Sequence, residues 1–171
     1  MSRNIRPKFS PTTLPTPMNR PYPAPRGTVL LLSCMDLRLL DETVQFMAGD
    51  NLLNRYDQFI LAGCSLGADM NQHWETAFFD HLDVACKLHN IQDVYLLEHR
   101  HCGAYQVFLG EAGTFDDSAP GQEQERLKHR DYAHKLAEKI NAWGQQHGRP
   151  LRVRSFLMDL RGHVELLDAV I

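Results

Sequence analysis

The chain has 171 residues, 43% of them hydrophobic and 23% charged, and a net charge of −3. This size suits one domain with a substantial core, and the slightly acidic balance offers no general attraction to nucleic acid. No stretch approaches the ~20 consecutive apolar residues of a membrane span, and the positive N-terminus lacks the apolar segment of a secretory signal.

A cytoplasmic location is therefore expected. There the four cysteines serve as thiols or metal ligands rather than as a disulfide framework. Basic charge and proline are concentrated at the start. Residues 1–26 carry Arg3, Arg6, Lys8, Arg20 and Arg26, no acid, and seven of the nine prolines. Repeated proline opposes both helix and strand ladders. Residues 1–26 thus read as a Pro-rich basic arm, either solvated or laid on a neighbouring subunit, and 27–171 as a single α/β domain.

The wholly apolar run Val29-Leu30-Leu31-Leu32 predicts a strand buried on both faces, as in a parallel sheet. Leu40, Val44 and Met47 follow at helical spacing, with Gly49 as a C-terminal stop. A second strand is expected over Gln58 to Ala62, ending in Gly63. One long helix is expected from about Asp69 to Asn90, with Trp74, Phe78, Leu82, Ala85 and Leu88 as its apolar stripe. The third strand is Val94 to Leu97. A polar loop around Gly110 to Gly121 leads to a helix lined by Ala133, Leu136, Ala137, Ile140 and Trp143 and stopped by Gly148 and Pro150. The last strands are expected near Val153 to Leu157 and, after a turn at Arg161-Gly162, Val164 to Leu167. Strands alternating with helices predict an α/β fold with a mostly parallel central sheet flanked by helices. In such folds chemistry sits just past the C-terminal strand ends.

Two clusters occupy those ends. Cys34-Met35-Asp36-Leu37-Arg38 follows the first strand, and His99-Arg100-His101-Cys102-Gly103 follows the third. Thiolate and imidazole are ligand types that zinc prefers, and a catalytic site keeps three protein ligands and one open position. Cys34, His99 and Cys102 supply such a set. His101 competes with His99, but its adjacency to Cys102 makes joint ligation awkward. Cys64, after Gly63, lines either the strand-end pocket or the core; Cys86 falls inside a helix pattern and belongs to the core. Asp36 and Arg38 lie two apart, so in an extended loop both point the same way and can pair through two hydrogen bonds. His73, His81 and His101 are available by type as proton shuttles.

These residues resemble the signature of the β-class carbonic anhydrases, Cys-x-Asp-x-Arg followed by His-x-x-Cys-Gly, here Cys34, Asp36, Arg38, then His99, Cys102 and Gly103. The resemblance runs from about Val29 to Leu167. It includes Ala62-Gly63 and the Phe156-Leu157-Met158-Asp159-Leu160 segment. It implies a β-carbonic-anhydrase-like fold and Zn²⁺ held by Cys34, His99 and Cys102. It also implies Asp36 and Arg38 as the catalytic pair, with Arg38 holding Asp36 off the metal. The implied reaction is hydration of CO₂ to bicarbonate by attack of zinc-bound hydroxide, in a homodimer or higher homo-oligomer with no nucleic-acid or membrane partner. The alternatives are a COS or CS₂ hydrolase of the same fold, and a non-catalytic zinc-binding homologue serving dimerisation or partner binding. Three positions depart from the family pattern: Leu37 for Ser or Ala, Leu61 for Asn, and Glu98 for Gly. A carboxylate buried at position 98 needs a partner.

Overall fold

The computed structural model describes residues 22–170. Five strands form one sheet in the order β2-β1-β3-β4-β5: β1 Val29–Ser33, β2 Tyr56–Ile60, β3 Asp93–His99, β4 Arg152–Met158 and β5 Val164–Val170. The first four are mutually parallel, and β5 returns antiparallel beside β4. Five α-helices accompany them: α1 Leu40–Gly49, α2 Cys64–Met70, α3 Gln72–His89, α4 Gly103–Leu109 and α5 Ala119–Gln146. The expected α/β architecture with a mostly parallel, helix-flanked sheet is the one observed. No helix among the described residues is long and apolar enough to cross a membrane.

Side chains alternate across the central strands, as the two-residue period of a strand requires. Leu30, Leu32, Val94, Leu96 and Val153 face α3 and α5, where they pack with Phe78, Leu82, Leu136 and Ile140. Val29, Leu31, Tyr95, Leu97 and Phe156 face the other way, towards Phe46 and Met47 of α1. Both faces of β1 and β3 are covered, which is why these strands read as unbroken apolar runs.

The segment Tyr22–Gly27 completes the second face. The Tyr22 ring stands edge-on to Phe156, with centroids 5.2 Å apart, and its hydroxyl lies 3.3 Å from Asp50 Oδ1. The Arg26 backbone N–H donates to Asp93 at 2.9 Å. Asp93 is fully buried and also accepts from Arg152 and Arg154. Residues 22–26 thus pack on their own subunit, and residues 1–21 of the expected arm lie outside the described residues.

Three element boundaries differ from the sequence reading, each for a local reason. The helix expected from Asp69 to Asn90 is α3, which starts at Gln72, and a separate short helix, α2, precedes it. Asn71 sits between them in extended conformation, and its side chain accepts the N–H groups of His73 and Trp74, starting α3 afresh. An unanticipated helix, α4, precedes the expected Gly110 to Gly121 loop, and the loop itself opens on a short 3₁₀ turn, Gly110–Gly113. Finally, β3 runs on through Glu98 and His99, carrying two polar residues into the buried sheet.

Candidate metal centre

The strand order reverses between β1 and β3. From β1 the chain moves out to β2, then crosses back over β1 to β3. A crevice opens at such a switch point, at the C-terminal strand ends. Ser33 pairs with Leu97 in register, so Cys34 leaves β1 level with Glu98, one residue short of His99 at the end of the adjacent strand.

Cys34, His99 and Cys102 converge there. Their ligand atoms all lie within 4.8 Å of one another, and the two sulfurs are 3.9 Å apart. His99 and Cys102 are buried and Cys34 is partly so. Three local features set this geometry. Gly63 has φ +77 and its N–H points at Cys34 Sγ, 3.4 Å away. A side chain there would stand 2.9 Å from the Ala104 Cβ, so only glycine fits the Ala62-Gly63 turn. Cys102 is the N-cap of α4, so its side chain leaves the helix towards the crevice. His99 Nδ1–H donates to the Arg100 carbonyl at 2.9 Å. Its Nε2 is then a lone-pair donor, buried, with no hydrogen-bond partner in the described structure.

This set fits a metal ion such as zinc on its own chemistry. An orphaned buried nitrogen is rare in proteins, and here it faces two sulfurs. The hydrogen bond from Cys102 pulls the Cys34 thiol down to about 4, with His99 and the Gly63 N–H assisting against burial. The same bond, together with burial, drives Cys102 the opposite way, well above the thiol range. The pair carries one negative charge readily and resists a second. A cation between the sulfurs removes that resistance.

Asp36 and Arg38 stand over the three donors. Arg38 Nε donates to Oδ1 at 2.9 Å and Nη2 to Oδ2 at 2.6 Å, the paired geometry anticipated for them. Those hydrogen bonds, working against partial burial, hold the Asp36 carboxyl down at about 2. Its Oδ2 lies 3.8 Å from His99 Nε2. Arg38 Nη2 also donates to the His101 carbonyl at 3.1 Å, tying the β1 loop to the β3 loop. The His101 side chain turns outward, with Nε2 3.5 Å from Asp117, so of the two candidate histidines the structure brings His99 to the sulfurs.

A cleft of about 600 Å³ opens above Cys34 and Cys102, lined mainly by Met35, Leu37, Trp74, Val107 and Phe108. Cys64 takes the core alternative: it is 1% exposed, and its thiol donates to Leu32 O at 3.5 Å. Cys86 is likewise buried. His73 and His81 are exposed on α3, and His81 lies against Phe59.

Sequence reasoning missed two residues. Glu125 and His129 of α5 are both buried and reach the β3 loop from behind. Their only sequence signal was the need of a buried Glu98 for a partner, and nothing said which residue on which helix would supply it.

No protein-family model matches the chain. Among solved structures, a tetrameric β-carbonic anhydrase of Sordaria macrospora aligns with TM-score 0.57 at 14% identity, covering 86% of this chain and 83% of that one. A Coccomyxa β-carbonic anhydrase in complex with acetazolamide aligns with TM-score 0.55 at 15% identity, covering 86% and 74%. The β-carbonic anhydrase CafD of Aspergillus fumigatus, in a mutant form, gives TM-score 0.55 at 13% identity, covering 91% and 94%. The chain shares their fold. In sequence it is 34% identical over 141 residues to an uncharacterized protein of Rickettsia conorii, covering 81% of this chain and 71% of that protein. It is 33% identical over 141 residues to an uncharacterized protein of Rickettsia bellii, covering 81% and 80%. The chain belongs to the family of these two Rickettsia proteins, built on a β-carbonic-anhydrase fold.

Proposed function

We propose that this chain is a zinc enzyme of the β-carbonic-anhydrase type that hydrates carbon dioxide to bicarbonate. Cys34, His99 and Cys102 hold the metal, and Asp36 and Arg38 are the catalytic pair. The observation that carries the reading is the convergence of two sulfurs and an unpartnered imidazole nitrogen within 4.8 Å, directly beneath a paired Asp36–Arg38.

When bound, zinc supplies Lewis acidity and makes water acidic enough to act as a nucleophile near neutral pH. The protein's own residues do the rest. His99 is held in one orientation by the Arg100 carbonyl, so that Nε2 stays free to ligate. Arg38 engages both oxygens of Asp36 and so competes for a carboxylate that would otherwise occupy the open position. Asp36 remains anionic and accepts a hydrogen bond from the water that reacts. The apolar cleft walls of Met35, Trp74, Val107 and Phe108 admit a neutral linear substrate and give its anionic product little to hold it. For the proton's exit, the exposed imidazoles of His73 and His101 are available by type.

The exposed apolar side chains Met35, Leu37, Leu40, Val44 and Val107, between 48% and 81% exposed, support self-association into a homodimer or higher homo-oligomer over this face. A cytoplasmic setting keeps the two thiol ligands reduced. Residues 27–171 then form the zinc domain, and 1–26 its basic arm.

Stopped-flow CO₂ hydration on zinc-loaded protein tests the reading, with zinc analysis of Cys34→Ser, His99→Ala, Cys102→Ser and His101→Ala alongside. One zinc per chain, lost in the first three variants and kept in the fourth, is expected together with hydration well above background. Background rates with COS turnover point to the hydrolase instead. Background rates with both gases point to a non-catalytic zinc protein.

A further inference from the structure

Helix α5 meets the β3 loop with two side chains four residues apart, hence on one helix face. Glu125 is 2% exposed and His129 1%. Glu125 Oε1 accepts the backbone N–H of His101 at 2.6 Å, and its Oε2 accepts Arg100 Nη1 at 3.1 Å. His129 Nδ1–H donates to Glu98 at 3.0 Å, while the other Glu98 oxygen accepts the Ser65 N–H at 3.1 Å.

What Glu125 holds is an unusual piece of backbone. His101 has φ +56, a left-handed conformation that residues with side chains adopt sparingly and keep only where their surroundings enforce it. Its N–H is gripped by Glu125 and its carbonyl by Arg38 Nη2 at 3.1 Å. The next residue is Cys102. A residue whose own side chain faces Asp117 thus decides, through its backbone, where the Cys102 sulfur lies relative to Cys34.

We propose that Glu125 is a positioning residue of the metal centre, acting through the His101 backbone on Cys102, with His129 bracing Glu98 behind His99. The proposal rests on the zinc reading above. Without the Glu125 carboxylate, His101 relaxes from its left-handed conformation, Cys102 drifts from Cys34, and the three donors no longer meet at one point. Arg100 keeps the Gln122 carbonyl and Glu165 as partners, so loss of Glu125 does not strand that cation.

The test is zinc affinity of the full chain by chelator competition, for wild type, Glu125→Ala and Glu125→Asp. The aspartate retains the charge but is one methylene too short to serve His101 and Arg100 together. Both variants are expected to bind zinc about 10- to 100-fold more weakly. The thiolate-to-cobalt absorption of Co²⁺-substituted protein should shift, while each metal-free variant stays folded with a melting temperature lowered by the unpaired His101 N–H. If Glu125→Ala does not fold, Glu125→Asp decides. Zinc affinity within about threefold of wild type in the folded variants, with unchanged cobalt bands, overturns the proposal alone. A wild-type chain that takes up no zinc overturns the zinc reading and this proposal with it.

Discussion

The carboxylate of Glu98 lies 3.0 Å from Nδ1 of His129, and both side chains are 1% exposed. Burial pushes the Glu98 carboxyl up, but the hydrogen bonds from His129 and Ser65 prevail and hold it below its ordinary value. Breaking a buried pair by removing one partner costs about 3–5 kcal/mol. His129→Ala should therefore lower unfolding free energy by about that amount at pH 7, read from urea midpoints. In the variant burial is opposed by the Ser65 hydrogen bonds alone, so the folded Glu98 carboxyl is expected to rise from its depressed value. The penalty is then full at high pH and shrinks as pH falls through that raised value. A penalty independent of pH would show that Glu98 is not the group left stranded.

At the opposite end of the sheet, burial would raise the Asp93 carboxyl, but Arg152, the Arg26 N–H and Arg154 pull it down. A depressed carboxylate contributes stability above its unfolded pKa of about 3.9 and loses it as pH falls through the folded value. Wild-type stability should accordingly drop on acidification below about pH 4. Asp93→Asn should remove much of that acid limb and cost about 3–5 kcal/mol at pH 7, because Arg154 is left buried without its anion. Denaturation at pH 7, 4 and 3 measures both effects.

Arg38→Ala should leave a folded chain with a full complement of zinc and hydration activity reduced about 10- to 100-fold. The guanidinium no longer restrains Asp36, whose Oδ2 already lies 3.8 Å from His99 Nε2, and the freed carboxylate would compete with water for a bound metal. Hydration rates from pH 6 to 9 and metal analysis on one preparation check this. Near-normal rates at alkaline pH would reduce the Asp36–Arg38 pair to a loop brace.

Tyr22 packs against Phe156 and Tyr95 of its own sheet. Truncation to a chain starting at Gly27 should therefore lower the melting temperature at every protein concentration, with Tyr22→Ala costing about 2–4 kcal/mol. Sedimentation of the truncated chain separates this from a role in association. A truncated chain that melts like wild type yet dissociates would place the effect at the subunit contact.

Much of this protein is written locally, and local features are legible in sequence. The apolar run Val29-Leu30-Leu31-Leu32 read as a strand covered on both faces, and the two Cys-bearing clusters fell on strand ends where parallel sheets gather their chemistry. The cysteine and histidine types and their place at strand ends singled out Cys34, His99 and Cys102, whose donor atoms lie within 4.8 Å of one another. What the tertiary structure decided was which distant groups meet. The β2-β1-β3 order put Cys34 beside His99, because a crossover back over β1 is a property of strand connections rather than of any one segment. Asn71 set the start of the long helix at Gln72 and separated it from α2, because a side-chain cap acts locally where the apolar periodicity gives no signal. Glu98 found His129, and His101 found Glu125, because α5 lies across the end of β3. Hydrogen bonds between residues 24 and 31 positions apart depend on how helices dock, and a single sequence does not record docking.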